Sequence, residues 1–365
     1  MGNKSSSLKF ALIGHQDSWG NVMQFVKSMG LPGNDLSLTK VQEIFTYIPP
    51  RKIFDIEVNS TTSGKIHGAY IETFIAPDEL DVKYLRKNID KVKKACEVAA
   101  KMGVPVVSLG GFTSIVLETG NEFFQQIQNT FFTTGNTLTA AFIARSVEKA
   151  CAYWGKRLSE SKLLIIGSTG DIGSACTSYF SGKVMELLLC ARQAGNLQKQ
   201  SRELSAKGVR NTASVCLKEL IRDADIIVSV ASSIINEDDL ENINSDVIVC
   251  DAGYPKNLQS KHIKNHERLF FGGLGVVTGG FEFENNLERV FYKFPVPTAS
   301  HGCLLEAIVL ASEHSYCSFS KGRGNITVSS MEQMLFMAEK HGINPAPLFN
   351  EVLTHESATE EIVYE

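Results

Sequence analysis

An uncharged apolar run, a glycine turn and a helical pattern follow one another between Leu163 and Ser174, LLIIGSTGDIGS. Strand-like and helix-like segments then alternate to about residue 272, and a separate set of both precedes residue 156. Together these predict an α/β fold: a Rossmann-like doubly wound parallel sheet, a smaller N-terminal α/β substrate domain, and C-terminal helices packing back onto the latter. The expected divisions are a flexible leader over 1–8, the N-terminal domain over 9–155 and the nucleotide-binding domain over 156–296. C-terminal helices over 297–345 and an acidic, loose tail over 346–365 complete the chain.

The leader Met1-Gly2-Asn3-Lys4-Ser5-Ser6 fits the myristoylation pattern, and equally a plain polar leader. A strand is predicted over Lys9–Gly14 and a helix over Trp19–Met29, with a loop at Pro32-Gly33-Asn34-Asp35. Lys52–Val58 and Lys65–Ile75 form a hairpin through Ser63-Gly64, and Asp81–Lys101 a basic amphipathic helix with a solvated charged face. The strand Val104–Leu109 runs into Gly110-Gly111-Phe112-Thr113-Ser114. The cluster Thr133-Thr134-Gly135-Asn136-Thr137 opens a helix reaching about Gly155. Hydroxyls at helix starts are ordinary capping chemistry. Two such clusters where α/β folds place ligands point to a substrate pocket, with Thr113, Ser114 and Asn136 as candidate contacts.

The glycine turn is the element with the plainest chemistry. Gly167 permits the tight turn, Gly170 the approach of a pyrophosphate and Gly173 the packing of helix on strand. With Ser168, Thr169, Asp171 and Ile172 they form a cradle of backbone N–H groups at a helix start, a site for a dinucleotide phosphate. The spacing is G-x-x-G-x-x-G rather than G-x-G-x-x-G, so the strand–turn–helix context carries the reading. The next strand, Glu186–Ala191, ends at Arg192, a cation where NAD sites place an acid; that suits a 2′-phosphate and hence NADPH. Later strands at Asp225–Val230, Asp246–Asp251 and Leu269–Gly272 end in Ala231-Ser232, in Asp251 to Asn257 with Tyr254 and Lys256, and in Gly273. Ala231, Ser232 and Gly273 are therefore cofactor candidates, Tyr254 a substrate candidate, and Lys256 a cation for the ribose or a developing oxyanion; as a plain surface lysine it would do neither.

After Pro295-Val296-Pro297, Ser300-His301-Gly302-Cys303 opens a helix to about Glu313, and another runs over Ser329–His341. With Ser300 as N-cap, Cys303 lies in the first turn, where the helix field lowers a thiol pKa and His301, if protonated, adds charge. A thiolate facing a nicotinamide implies acyl transfer onto sulfur followed by hydride delivery. Most lone cysteines are instead small buried hydrophobes.

A net charge of -4 over 365 residues gives no reason to expect nucleic acid. Eight cysteines without a C-x-x-C pair argue for a reducing, cytoplasmic setting and against a zinc site or disulfide scaffold. No apolar run reaches spanning length.

From Leu12 to Pro345 the chain resembles the cyanobacterial-type long-chain fatty acyl-ACP reductases, which form aldehydes. The motifs that carry this are Gly14-His15, His67 to Glu72, Leu109 to Ile115, Thr133 to Thr137, Gly170 to Ala175 and Asp251 to Leu258, then Cys303 with Glu306-Ala307, Gly322-Arg323 and His341-Gly342. The resemblance implies NADPH-dependent reduction of a fatty acyl thioester, on acyl carrier protein or coenzyme A, to the aldehyde, with Cys303 carrying the acyl group. It also implies an aldehyde-consuming partner and a magnesium requirement for which the sequence offers no ligand set; peripheral membrane contact is expected through the acyl substrate or, from the N-terminal pattern, a lipidated Gly2. Two departures stand out: His301 replaces an apolar residue of the family pattern, and Gly279–Pro297 and both tails match poorly. The domain order also resembles the shikimate dehydrogenases, which reduce a ketone without covalent catalysis and use a lysine. A nicotinamide-sensing binding protein without turnover is a third reading.

Overall fold

The computed structural model describes residues 7–28, 36–80, 82–114, 116–117, 122–231, 235, 237–240, 243–253, 256, 258, 266–283, 294–296 and 298–355. The chain divides into two compact units, Met1–Ala141 with Gly275–Asn344 and Phe142–Leu274 with Pro345–Glu365.

The first unit begins with β1 (Phe10–Gly14), buried along its whole length as its apolar sequence demands. Helices α1 (Trp19–Ser28) and α2 (Leu38–Phe45) follow and close a small core of Val22, Phe25, Val41, Phe45 and Phe74. The predicted hairpin is present as β2 (Arg51–Ser60) and β3 (Gly64–Glu72); Gly64 takes φ +69° at the turn. The basic helix α3 (Leu85–Lys101) starts after a 3₁₀ turn, Val82–Tyr84, and Asp81 lies outside the described residues. Its Val92, Ala95, Cys96 and Ala99 cover Ala11, Ile13, Ile71, Val107 and Leu109 on one sheet face. Strands β4 (Val106–Leu109) and β5 (Phe131–Thr133) extend the sheet, so that β3, β1, β4 and β5 run parallel. β5 has only three residues, too short for a periodic signal. Helix α4 (Asn136–Tyr153) follows, and the division between the units falls within it.

The second unit is the expected doubly wound sheet. Its strands are β6 (Lys162–Ile166), β7 (Glu186–Cys190), β8 (Asn211–Ser214), β9 (Ile226–Ser229), β10 (Ile248–Asp251) and β11 (Leu269–Phe271). They are all parallel, in the order β11-β10-β9-β6-β7-β8. The order reverses between β6 and β9, and the crevice above their carboxyl ends is where such sheets bind dinucleotides. Helices α5 (Asp171–Phe180), α6 (Ala194–Ala206) and α7 (Leu217–Ile221) make crossovers. One core joins Leu164, Leu188, Ile221, Ile227 and Val249, each fully buried Leu or Ile contributing about 2 kcal/mol. Strand β8 gives no apolar signal because this polar edge strand is only partly buried.

Returning to the first unit, β12 (Leu274–Val277), β14 (Ala299–His301) and β15 (Ile343–Pro345) form a three-stranded sheet ordered β14-β12-β15. Strand β13 (Phe281–Phe283) pairs antiparallel with β2, giving the large sheet the order β13-β2-β3-β1-β4-β5. Residues 275–283 thus fall in the first unit, whereas the sequence placed them with the nucleotide-binding domain. Helix α8 (Gly302–Ser312) packs on β4, β1 and β3, as expected of a returning helix, and from Leu304 onward every residue is buried. Helix α9 (Val328–Lys340) carries a Thr327–Ser330 capping box and packs on α8. Beyond it His341 links Glu313 (Nε2, 2.7 Å) to Thr62 (Nδ1, 2.6 Å), pinning the hairpin turn.

Two expectations are corrected. Ser300 is not the N-cap of α8: it lies in β14, His301 takes the cap position without capping the helix through its side chain, and the Ser300 hydroxyl is buried without a partner. The start of the tail is ordered in the second unit. β16 (Leu348–Phe349) pairs with β17 (Thr354–His355), and Asn350 donates to Leu269 O at 2.9 Å while accepting from Val352 and Leu353 N–H. No helix among the described residues is long and apolar enough to cross a membrane.

Candidate active site

In the first unit, Cys303 occupies the second position of α8, at the carboxyl edge of the parallel strands. Two glycines let the starts of α8 and α4 touch backbone to backbone. A Cβ on Gly135, which has φ +69°, would lie 2.2 Å from Cys303 Cα, and one on Gly302 would lie 2.7 Å from Thr139 Cα. Ser108 Oγ donates to Cys303 O at 2.6 Å. A Cβ on Gly110 would stand 3.6 Å from the sulfur. Burial pushes the Cys303 thiol up to about 11, and the Glu306 carboxylate adds to the rise. The backbone N–H groups of Leu304, Cys303 and Gly111 favour the thiolate, but less strongly. The expectation of a lowered thiol is therefore corrected: the donors are in place, and the loss of solvent outweighs them. His301 is half-buried with its ring 5.3 Å from that of Phe294.

Glu306, one turn after Cys303, is fully buried and caps α4 from another helix. Its Oε1 accepts from Thr133 Oγ1 at 2.5 Å and Ser320 Oγ at 2.7 Å; its Oε2 accepts from Leu138 N at 3.0 Å. Burial raises its pKa, and these donors oppose the rise. The Thr137 hydroxyl pairs with Ser320 Oγ at 2.6 Å. Capping thus accounts for Thr133 and Thr137, while Asn136 sits half-buried at the first position of α4, beside Gly135. Glu306 was visible in sequence only as a residue sharing a face with Cys303; its three donors come from segments 14 to 173 residues away.

The turn after β4 is braced from within. Thr113 Oγ1 donates to Ile13 O at 3.2 Å and to Gly110 O at 2.9 Å, so its hydroxyl serves the turn; Ser114 is half-buried. At the end of β3, Glu72 is fully buried and accepts from Gln16 Nε2 (2.8 Å), Tyr70 OH (2.9 Å) and Phe74 N (3.1 Å). Burial lifts its pKa to about 7 against those donors. In the sequence, the one sign of this carboxyl's burial is its place in an apolar strand.

In the second unit the glycine turn has the geometry its motif implies. Gly167 has φ +90°, and a Cβ there would meet Ala231 N at 3.1 Å; a Cβ on Gly173 would lie 2.1 Å from Gly167 O. The turn hangs on β7 through Gly167 and Ser168 N–H, both donating to Cys190 O (2.8 and 3.1 Å). Ser168 Oγ is buried without a partner, Thr169, Gly170 and Ile172 are half-buried, and Asp171 is buried in the first turn of α5. Ala231 lies at the carboxyl end of β9, beside Gly167 and so at the point where the sheet order reverses. A cradle that side chains would fill, with a helix start behind it and an orphaned hydroxyl within it, fits a dinucleotide pyrophosphate. Arg192 is exposed two residues past β7, and Gly273 (φ +73°) follows β11. Lys256 Nζ donates to Asp251 O at 2.9 Å and lies 5.0 Å from the Phe271 ring centre; burial lowers its pKa. Asp251 in turn accepts from Gly253 and Leu258 N–H, so that loop is built around one carboxylate. Ser232 and Tyr254 lie outside the described residues. Among those described, no group of three or more His, Cys, Asp and Glu could hold a metal ion.

No protein-family model matches the chain. Over 351 residues it is 32% identical to the long-chain acyl-[acyl-carrier-protein] reductase of Synechococcus elongatus, covering 93% of this chain and 99% of that protein. It is 24% identical over 356 residues to the aminotransferase PigE of a Serratia species, covering 93% of this chain and 40% of that longer protein. Among solved structures, L-tryptophan dehydrogenase of Nostoc punctiforme aligns at a TM-score of 0.39 and 11% identity, over 92% of this chain and 80% of that one. Shikimate 5-dehydrogenase of Listeria monocytogenes aligns at 0.37 and 11%, over 92% and 99%.

Proposed function

Since the chain belongs to the long-chain acyl-[acyl-carrier-protein] reductase family, we propose that it reduces a long-chain fatty acyl thioester, on acyl carrier protein or coenzyme A, to the aldehyde. The reductant is NADPH and the acyl group passes through Cys303. The observation that most supports this reading is the setting of Cys303: a sulfur at a helix start, against a glycine turn, with backbone N–H groups that favour its charged form.

In this reading the Cys303 thiol gives its proton to solvent and the sulfur attacks the thioester carbon. The carbonyl oxygen takes up the displaced electron pair, the bond to the carrier sulfur breaks, and that thiolate regains a proton. The Leu304, Cys303 and Gly111 N–H groups, which favour negative charge at the sulfur, would also serve the charge that develops beside it. Gly167, Gly170, Gly173 and Ser168 would hold the pyrophosphate and Arg192 the 2′-phosphate; NADPH bound there supplies a hydride. Reduction at the acyl carbon returns the C–S pair to Cys303, which is reprotonated as the aldehyde leaves. A thiol raised by burial stays protonated and unreactive at neutral pH until substrate arrives, which guards it against oxidation.

The test is NADPH oxidation and aldehyde formation with palmitoyl- or stearoyl-thioesters, with mass spectrometry of the peptide holding Cys303. Wild type should show the acyl adduct when NADPH is withheld, and Cys303→Ala should make no aldehyde. Aldehyde formation at the wild-type rate by Cys303→Ala would overturn the mechanism. Arg192→Ser should weaken NADPH about tenfold and leave NADH unchanged.

A further inference from the structure

The chemistry so far leaves one buried histidine beside the sulfur's glycine turn unused. His15 directly follows β1. Its Nε2 lies 3.1 Å from Phe112 N, and its Nδ1 lies 3.3 Å from Gln16 O. An amide N–H only donates and a carbonyl only accepts, so these contacts require the proton on Nδ1 and a lone pair on Nε2. Burial holds the imidazole below its ordinary pKa, outweighing the Gln16 carbonyl and the Asp17 carboxylate, so the neutral ring this demands is the favoured one. The Phe112 ring stands edge-on at 6.3 Å, and the Gln16 side chain beside it is tied to Glu72.

Two N–H groups of the turn are held on either side of Gly111. Gly110 N donates to Ile13 O at 3.0 Å and Phe112 N donates to His15, while a Cβ on Gly110 would stand 3.6 Å from the Cys303 sulfur. Gly111 has φ +59°, a conformation open to glycine without strain. Its place in the turn is set by its two neighbours, one held by a strand carbonyl and the other by the imidazole.

We infer that His15 is a positioning residue for acyl transfer: its neutral imidazole accepts the Phe112 N–H and thereby holds the Gly110-Gly111 turn against the Cys303 sulfur. This rests on the reading above. His15 touches no reacting atom, and its influence runs through one turn.

The experiment compares wild type with His15→Leu, which keeps bulk and loses the acceptor, and His15→Gln, which restores an acceptor. Iodoacetamide alkylation of Cys303 is followed by peptide-resolved mass spectrometry from pH 7 to 10, without substrate or cofactor. The Leu variant should alkylate about tenfold more slowly at a given pH, its profile displaced to higher pH, and the Gln variant should recover to within about threefold of wild type. With acyl thioester, kcat should fall in the Leu variant more than KM changes. A Leu profile that overlays wild type overturns the inference. If the Leu variant does not fold, nitrogen-15 NMR of wild-type His15 decides: a lone pair on Nε2 supports it, and a proton there overturns it. Absence of aldehyde from wild type would sink the proposed function while leaving the alkylation profiles to judge His15.

Discussion

Replacing Glu306 tests whether a single carboxylate joins the two helix starts at Cys303. In Glu306→Ala three buried donors lose their acceptor. Two of them have alternatives: Thr133 Oγ1 lies 3.3 Å from Ser320 O, and Ser320 Oγ lies 2.6 Å from the Thr137 hydroxyl. The Leu138 amide cannot turn, and an orphaned buried donor costs about 1–3 kcal/mol. Loss of one buried methylene adds about 0.8 kcal/mol. A total of about 2–4 kcal/mol is within the stability of an ordinary domain, so the variant should fold. Glu306→Gln keeps one carbonyl for Leu138 and turns its NH2 toward hydroxyls that can rotate to accept, at about 1 kcal/mol. Urea unfolding should rank wild type, Gln and Ala in that order. Because Gly135 lies against Cys303 itself, looseness here should also slow formation of the acyl-enzyme by about 10- to 100-fold in the Ala variant. An Ala variant within about 0.5 kcal/mol of wild type, or Gln and Ala variants alike in stability, would refute the capping role.

Three further outcomes follow from the same geometry. Gly173→Ala would drive a Cβ to 2.1 Å from Gly167 O, so NADPH affinity, read by fluorescence titration, should fall by about 100-fold or more; unchanged binding would place the phosphate elsewhere. With its thiol pushed up to about 11, Cys303 should acylate about tenfold faster per pH unit from 7 to 9 in single-turnover experiments, whereas a plateau below pH 8 would mean a lowered thiol in the working enzyme. Glu72 has its folded pKa raised from the ordinary 4.5 to about 7, so the fold favours its neutral form. Its contribution is fully present below pH 4.5 and is lost as pH rises toward 7, by about 3 kcal/mol, and Glu72→Gln should lack that slope in urea titrations; parallel curves from pH 5 to 8 would contradict it.

How far the sequence reaches differs from element to element. The strand, glycine turn and helix at Leu163–Ser174 were legible because each depends on residues a few places apart: apolar continuity, permitted φ, absence of a side chain. The hairpin at Gly64 and the burial of α8 are of the same kind. Strands β5 and β8 were not, one being too short and the other too polar to show a period. Nor could Ser300 be told from a cap, since an N-cap serine and an edge-strand serine differ only in what lies opposite them.

By itself, then, the sequence determined the α/β alternation, the phosphate-type turn and the position of one cysteine near a helix start. Those properties are written in local spacing and backbone freedom. Only the tertiary structure decided that Phe281–Phe283 would pair with β2, that Glu306 would cap a helix far from it in sequence, and that the Cys303 thiol would rise instead of fall. The reason is solvent: the energy of a charge or an orphaned N–H depends on which distant segments displace water around it, and no spacing rule along the chain carries that information.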